Sequence, residues 1–199
     1  TCIWQDGLDI PLVNALEAND YAVYDGKQPL VAPVNHLPNT FDGNGLIPAD
    51  FVWDKPYSPL FKYSWKKVYP ALLEAQKVNE SNPFDGIYMK YSNPLTGGHV
   101  MQTMGASIQL LPANFKGKAH KHTGSFVYQC AKGKGYSIIN GQRFDWKERD
   151  IFCVPSWALH EHHNLSETED ACLFSFNDLP VIEKLGLYQE RELEENNGH

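Results

Sequence analysis

The sequence predicts an all-β fold, a sandwich or double-sheet roll of the jelly-roll type, carrying an irregular and partly helical N-terminal arm. Three observations predict it. From about Ser107 onward, short runs rich in β-branched and aromatic residues alternate with turn residues. The pair Asn140-Gly141, both tolerant of positive φ in a type I′ turn, joins two of those runs as a hairpin. Before that region the chain is dense in Pro, Asn, Asp and Gly, yet it is too rich in aromatics for a disordered linker.

In chain order, the arm spans residues 1–92. Its turn formers include Pro38-Asn39-Thr40 and Asp42-Gly43-Asn44-Gly45, and its aromatics (Trp4, Phe41, Phe51, Trp53, Tyr57, Phe61, Tyr63, Trp65) require a surface to pack on. A short helix is expected from Asp9 to Ala18. A second has Ser64 as N-cap and Pro70 near its start, with Ala71, Leu72, Ala75 and Val78 at helical spacing before Asn79 and Pro83 end it. The barrel spans residues 93–180, with strands at Ser107 to Leu111, Phe126 to Ala131, Tyr136 to Ile139, Gln142 to Trp146, Ile151 to Val154, Leu159 to Asn164 and Ala171 to Phe176. Residues 181–199 read as a short helix (Val181 to Leu187) followed by a charged, solvated and frayed tail over Glu190 to Asn197.

Composition narrows the function. At 199 residues and 42% hydrophobic, the chain can bury one full core plus an extension. The formal net charge of −7 offers no basic field for phosphates, which sets nucleic acid aside. No apolar run approaches the roughly 18 residues of a membrane span, and the first residues lack the regions of a signal peptide. A cytoplasmic protein is expected. Cys2, Cys130, Cys153 and Cys172 are widely spaced and read as small buried hydrophobes. The start at Thr1 suggests a processed, cloned or cleaved piece of a longer polypeptide.

Three of the eight histidines fall at spacings that chemistry can use. His120 and His122 are two apart, so on an extended strand both imidazoles project from one face. His160 ends a strand, turn, strand segment (Phe152 to His160), and a neighbouring strand can carry it opposite the pair. Three neutral nitrogens suit Fe(II), Mn(II), Ni(II), Cu(II) or Zn(II), whereas Mg²⁺ and Ca²⁺ require oxygen. A bare His-x-His pair is also common on strand surfaces.

These residues fit the two cupin motifs. In Gly-x5-His-x-His-x(3,4)-Glu-x6-Gly the chain supplies His120, His122 and Gly133, with Phe126 or Val127 where the carboxylate ligand would stand. In Gly-x5-Pro-x-Gly-x2-His-x3-Asn it supplies Pro155, His160 and Asn164, with Arg149 and Trp157 in the two glycine places. Without an anionic protein ligand, a bound metal keeps its full charge. The cupin double-stranded β-helix is the jelly-roll barrel these motifs specify.

The stretches Trp4 to Val13, Asn93 to Gly98, His120 to Thr123, Val154 to His162 and Leu173 to Asp178 resemble the gentisate, salicylate and 1-hydroxy-2-naphthoate dioxygenases, a family of two-cupin chains. The resemblance covers the part from the inter-cupin arm to the C-terminus. It implies ring cleavage of gentisate (2,5-dihydroxybenzoate) by O₂ to maleylpyruvate at Fe(II), an extradiol-type reaction in which the ring supplies the electrons. It further implies a homo-oligomer, dimer or tetramer, and contact with an N-terminal cupin that holds the family's recognised iron. His120, His122 and His160 are the matching set in this barrel. His162, two beyond His160, is a candidate acid or base beside the ligands, or else a plain surface histidine. Gln109, Tyr128, Arg143 and Trp157 are candidates for the barrel mouth, with Arg143 the partner for a substrate carboxylate. His36, His99, His163 and His199 read as ordinary. Two other readings stand beside the enzyme: a non-catalytic, oligomerising cupin, and a zinc or manganese cupin that binds or isomerises a small molecule.

Overall fold

Alternation of inward and outward side chains along short strands organises the computed structural model, which describes residues 4–23 and 62–193 together with Gly26 and Ala49. The turn formers at 38–45, the aromatics Phe41, Phe51, Trp53, Tyr57 and Phe61, and Cys2, His36 and His199 lie outside the described residues, as does the tail beyond residue 193. The described elements are α1 (Ile10–Ala15), α2 (Trp65–Val78), β1 (Ile87–Lys90), β2 (Gly105–Leu111), β3 (His120–His122), β4 (Phe126–Lys132) and β5 (Lys134–Ile139). They continue with β6 (Gln142–Lys147), β7 (Ile151–Val154), β8 (His160–Asn164), β9 (Ala171–Asn177), α3 (Leu179–Lys184) and β10 (Glu190–Glu192).

The strands form two five-stranded sheets in the orders β1-β2-β9-β4-β7 and β10-β3-β8-β5-β6, a jelly roll of the cupin kind. Between the sheets lies an apolar core that includes Leu111, Phe126, Tyr128, Trp146, Val154 and Leu173. A second cluster, Leu72, Ile87, Ile108, Leu110 and Cys172, lies where α2 packs on the outer face of the first sheet. That is why β2 is buried on both faces, and it is the surface that the helical part of the arm needed. Tyr69 on α2 donates to Asp170 Oδ1 at 3.1 Å, and Lys132 Nζ reaches the same carboxylate oxygen at 2.9 Å.

Several expectations meet small differences. Asn140 (φ 48°) and Gly141 (φ 80°) make the two-residue β5–β6 turn. Helix α1 is shorter than expected, ending at Ala15, and α3 starts two residues early because Pro180 fits a first helical turn, where no amide bond is lost. Strand β1 was not expected, since Ile-Tyr-Met-Lys is too short to show alternation. Cys130 and Cys172 are buried, but Cys153 is exposed because alternation along β7 turns it outward while Val154 faces the core. The stretch 190–192, read as frayed tail, is instead paired to β3. No helix among the described residues is long and apolar enough to cross a membrane.

Two backbone features constrain the barrel near the motif residues. Gly135 has no room for a Cβ, because the Trp146 ring and the His163 carbonyl lie against its Cα. The three places where the cupin motifs carry glycine ahead of their histidines are held here by Asn114 (φ 59°), Arg149 (φ 75°) and Trp157 (φ 63°). The turns keep their left-handed geometry although the glycines are gone, at a cost of roughly 1 kcal/mol each for a residue with a Cβ.

Candidate metal centre

Strand β3 is three residues long, and its alternation buries His120 and His122 while Lys121 turns outward. His160 opens β8 as the direct cross-strand partner of His120. Ring centroids lie 4.4 Å apart for His120 and His160, 4.9 Å for His122 and His160, and 5.5 Å for His120 and His122. One ligand nitrogen from each of the three lies within 4.8 Å of the others.

Local hydrogen bonds set which nitrogens face inward. His160 Nδ1 lies 2.9 Å from the Ala158 carbonyl and His122 Nδ1 3.2 Å from the Thr123 carbonyl, so each ring donates there as the Nδ1–H tautomer and keeps a lone pair on Nε2. His160 Nε2 and His120 Nδ1 are buried and have no hydrogen-bond partner. Burial removes the charged form: the His120 imidazolium is suppressed to a pKa of about 3, with neighbouring His122 and His162 adding to the effect of desolvation. His122 is lowered by burial, and His160 well below its ordinary range by burial and then by its two partners. Three neutral imidazoles with ligand nitrogens within 4.8 Å of one another, two of them orphaned, are a donor set that fits a borderline divalent ion.

A cavity of about 270 Å³ opens beside the triad on the side of His120 and His122, lined by those two rings, Phe84, Tyr88, Tyr128 and Tyr188 together with acidic groups. The acidic groups are Asp85, Glu183, Glu190 and Glu192, and Lys90 is the cation among the lining residues. Gln109, fully buried, donates its Nε2 to Asp85 Oδ1 at 2.5 Å. Burial raises the Asp85 carboxyl to a pKa of about 7, with Glu190 contributing in the same direction.

Of the residues singled out from the sequence, His120, His122 and His160 come together, and His162 sits beside them. His162 is fully buried, its Nδ1 is 2.7 Å from Ser137 Oγ, and its ring centroid is 5.6 Å from that of His160. It is therefore an interior residue. Ser137 also accepts the indole N–H of Trp146 at 2.9 Å. Tyr128 lines the cavity. Arg143 is not brought to the site. Strand alternation turns it to the outer face of β6, where its guanidinium lies 3.9 Å from the Tyr136 ring centroid and 2.6 Å from Asp145. Trp157 is 38% exposed and carries Lys121 and Arg191 over its ring. His99 and His163, read as ordinary, each face a glutamate, Glu183 at 2.7 Å and Glu161 at 2.8 Å.

Sequence reasoning missed Asp85, Tyr88, Glu183, Glu190 and Glu192. For the last two a signal existed: Glu-x-Glu repeats the spacing of His-x-His, which is what a paired strand would show.

Comparison with known proteins agrees with this geometry. The model of the cupin domain matches residues 107–177. Gentisate 1,2 dioxygenase 1 of Aquipseudomonas alcaligenes is 35% identical over 189 residues, covering 94% of this chain and 53% of that protein. A 5-aminosalicylate 1,2-dioxygenase of Comamonas sp is 37% identical over 194 residues, covering 95% and 50%. Among solved structures, the salicylate 1,2-dioxygenase of Pseudaminobacter salicylatoxidans superposes with a TM-score of 0.76 at 25% identity, over 92% of this chain and 53% of that one. The chain spans about half the length of the curated relatives it matches.

Proposed function

The chain belongs to the gentisate 1,2-dioxygenase family, matching the C-terminal half of its two-cupin members, and on that premise we propose that it is the second cupin of an Fe(II)-dependent, ring-cleaving dioxygenase. The substrate class is a hydroxylated aromatic acid, with gentisate and O₂ yielding maleylpyruvate as the reaction. The relatives' named substrates, gentisate and 5-aminosalicylate, support that class. Neither a nicotinamide nor a flavin is required, because the ring itself supplies the electrons.

The observation that carries the proposal is the set of orphaned nitrogens on His120 and His160, buried beside His122 with no protein partner. His120, His122 and His160 would hold the ion. When bound, Fe(II) would supply Lewis-acid and one-electron chemistry at positions that three protein nitrogens leave open. The chain's own residues orient and shield: Ala158 and Thr123 carbonyls fix the rings of His160 and His122, and Phe126 and Tyr128 keep the triad's inner side dry. His162, held by Ser137, is the candidate proton donor or acceptor next to His160. Arg143 has no part in this proposal, since it faces away.

One observation favours a second reading, in which this barrel holds a metal or packs against a catalytic N-terminal cupin without cleaving a ring itself. The cavity beside the triad presents Asp85, Glu183, Glu190 and Glu192 against Lys90, a wall that repels an aromatic carboxylate. A cytoplasmic homo-oligomer with an N-terminal cupin as neighbour completes the proposal.

The test is reconstitution of the chain with Fe(II) under nitrogen, followed by metal analysis and O₂ uptake with gentisate. One equivalent of iron and gentisate-dependent O₂ consumption support the catalytic reading. Iron without O₂ uptake leaves the second reading, and a chain that takes up no iron removes the metal from both.

A further inference from the structure

Glutamates on β10 face the strand that carries two of the three histidines. Antiparallel pairing sets Glu190 directly opposite His122 and Glu192 directly opposite His120. Directly opposed residues in such a pair project from the same face of the sheet, so both carboxylates share the face of the imidazoles. Both line the cavity beside the triad, at its exposed rim. His120, only 2% exposed, lines the same cavity with its Nδ1 unpartnered. A buried, unpartnered ring nitrogen and a carboxylate rim on one cavity form an arrangement that a cation completes.

The opposite face of β10 fastens the strand down. Arg191 lies 5.7 Å from the Trp157 ring centroid, and Lys121 of β3 lies 5.9 Å from the same centroid. The Thr123 amide donates to the Gln189 carbonyl at 2.9 Å, and the Leu193 amide to the Ala119 carbonyl at 3.1 Å. The Tyr188 hydroxyl donates to Glu190 Oε2 at 2.9 Å, which orients that carboxylate.

We propose that β10 is an anionic wall for the metal site, in which Glu190 and Glu192 offset the charge of a divalent cation held by His120, His122 and His160 without ligating it. They replace in function the carboxylate missing from the motif at Phe126 and Val127. Among the described residues the group that could hold an ion is His120, His122 and His160, and it includes neither glutamate, so the glutamates act through space or through water. Because the strand pairs with β3, cation binding and docking of the C-terminal segment strengthen each other by the same factor. This inference rests on the triad being a metal site, as proposed above. Glu190 and Glu192 are positioning and charge-compensating residues, and the ligand class is a divalent cation.

The test uses the full chain and Co(II), with affinity read by calorimetry, the metal's visible spectrum read in parallel, and amide exchange followed over residues 187–193. The wild-type chain is expected to bind one Co(II), with exchange at 187–193 slowed on binding. E190Q/E192Q is expected to weaken binding about tenfold, the lower end of what groups beyond the ligands contribute, and E190D/E192D to recover most of it. Wild-type affinity in E190Q/E192Q, or exchange at 187–193 that Co(II) leaves unmoved, overturns the wall while the triad stands. If E190Q/E192Q does not fold, the exchange measurement on the wild-type chain decides alone. Absence of Co(II) binding by the wild-type chain, or binding undiminished in H160A, overturns the triad and the wall with it.

Discussion

Replacing Asn164 with alanine is expected to destabilise the chain by about 3 kcal/mol, because this side chain ties the end of β8 to two loops at once. Its Nδ2 donates to the carbonyls of Leu111 at 3.0 Å, Pro112 at 2.9 Å and Glu169 at 2.8 Å, and its Oδ1 accepts the Ser166 amide at 2.9 Å. Two N–H protons shared among three acceptors, plus one accepted bond, amount to three hydrogen bonds' worth of pairing. At about 1 kcal/mol each, their loss gives about 3 kcal/mol. Asn164 is buried and water replaces these bonds poorly, so the loss is not softened. For a chain of this size each kcal/mol moves the midpoint by about 2–4 °C, so thermal unfolding followed by circular dichroism is expected to shift down by roughly 6–12 °C. Asn164→Asp is the sharper control: its carboxylate would face three carbonyl oxygens and be forced toward the protonated form. With its folded pKa raised above the unfolded value, that variant is most stable at low pH and loses stability as pH rises. A midpoint within 2 °C of wild type for Asn164→Ala would refute the reasoning.

Ser137→Ala leaves both the Trp146 indole N–H and His162 Nδ1 without a partner in the interior, and urea unfolding is expected to show a loss of about 3 kcal/mol. Arg149 occupies a left-handed position, so Arg149→Gly is expected to stay within about 1 kcal/mol of wild type, whereas the β-branched Arg149→Val costs more than that in the same assay. The metal-free chain is expected to weaken in mild acid. His120 is lowered to about 3 in the folded state, so between there and its ordinary 6.5 the unfolded chain binds the extra proton. That contribution is complete above about 6.5 and is lost as pH falls toward 3, with a limiting slope of about 1.4 kcal/mol per pH unit for each such imidazole. Denaturation midpoints at pH 7 and pH 5 check it, and equal midpoints would contradict it.

The barrel was legible because its strands announce themselves locally. Gln142 to Trp146 alternates polar residues with the aromatics Phe144 and Trp146, Ala171 to Phe176 is a nearly continuous apolar run as a central strand requires, and Asn140-Gly141 admits little but a hairpin. The triad was legible for the same reason, since i and i+2 on a strand need no tertiary knowledge to share a face, and β8 then had only to pair beside β3. Arg143 was misplaced by the same parity. One residue of register decides inside from outside, and pairing with Ile138 turns it to Tyr136 and Asp145 on the outer face. The acidic half of the cavity was not legible, because Asp85 and Glu183 come from the arm's end and from α3, far apart in sequence. Strand β10 carries no apolar alternation at all. Its inward face meets a polar cavity, so Glu-Arg-Glu has the composition of a tail and the pairing of a strand.

The most direct test of the metal centre is anomalous scattering at the iron edge from crystals of this chain grown with Fe(II). The expected result is one strong peak within bonding distance of a ring nitrogen from each of His120, His122 and His160. Density with no iron between those rings, or iron bound only elsewhere, would contradict the account.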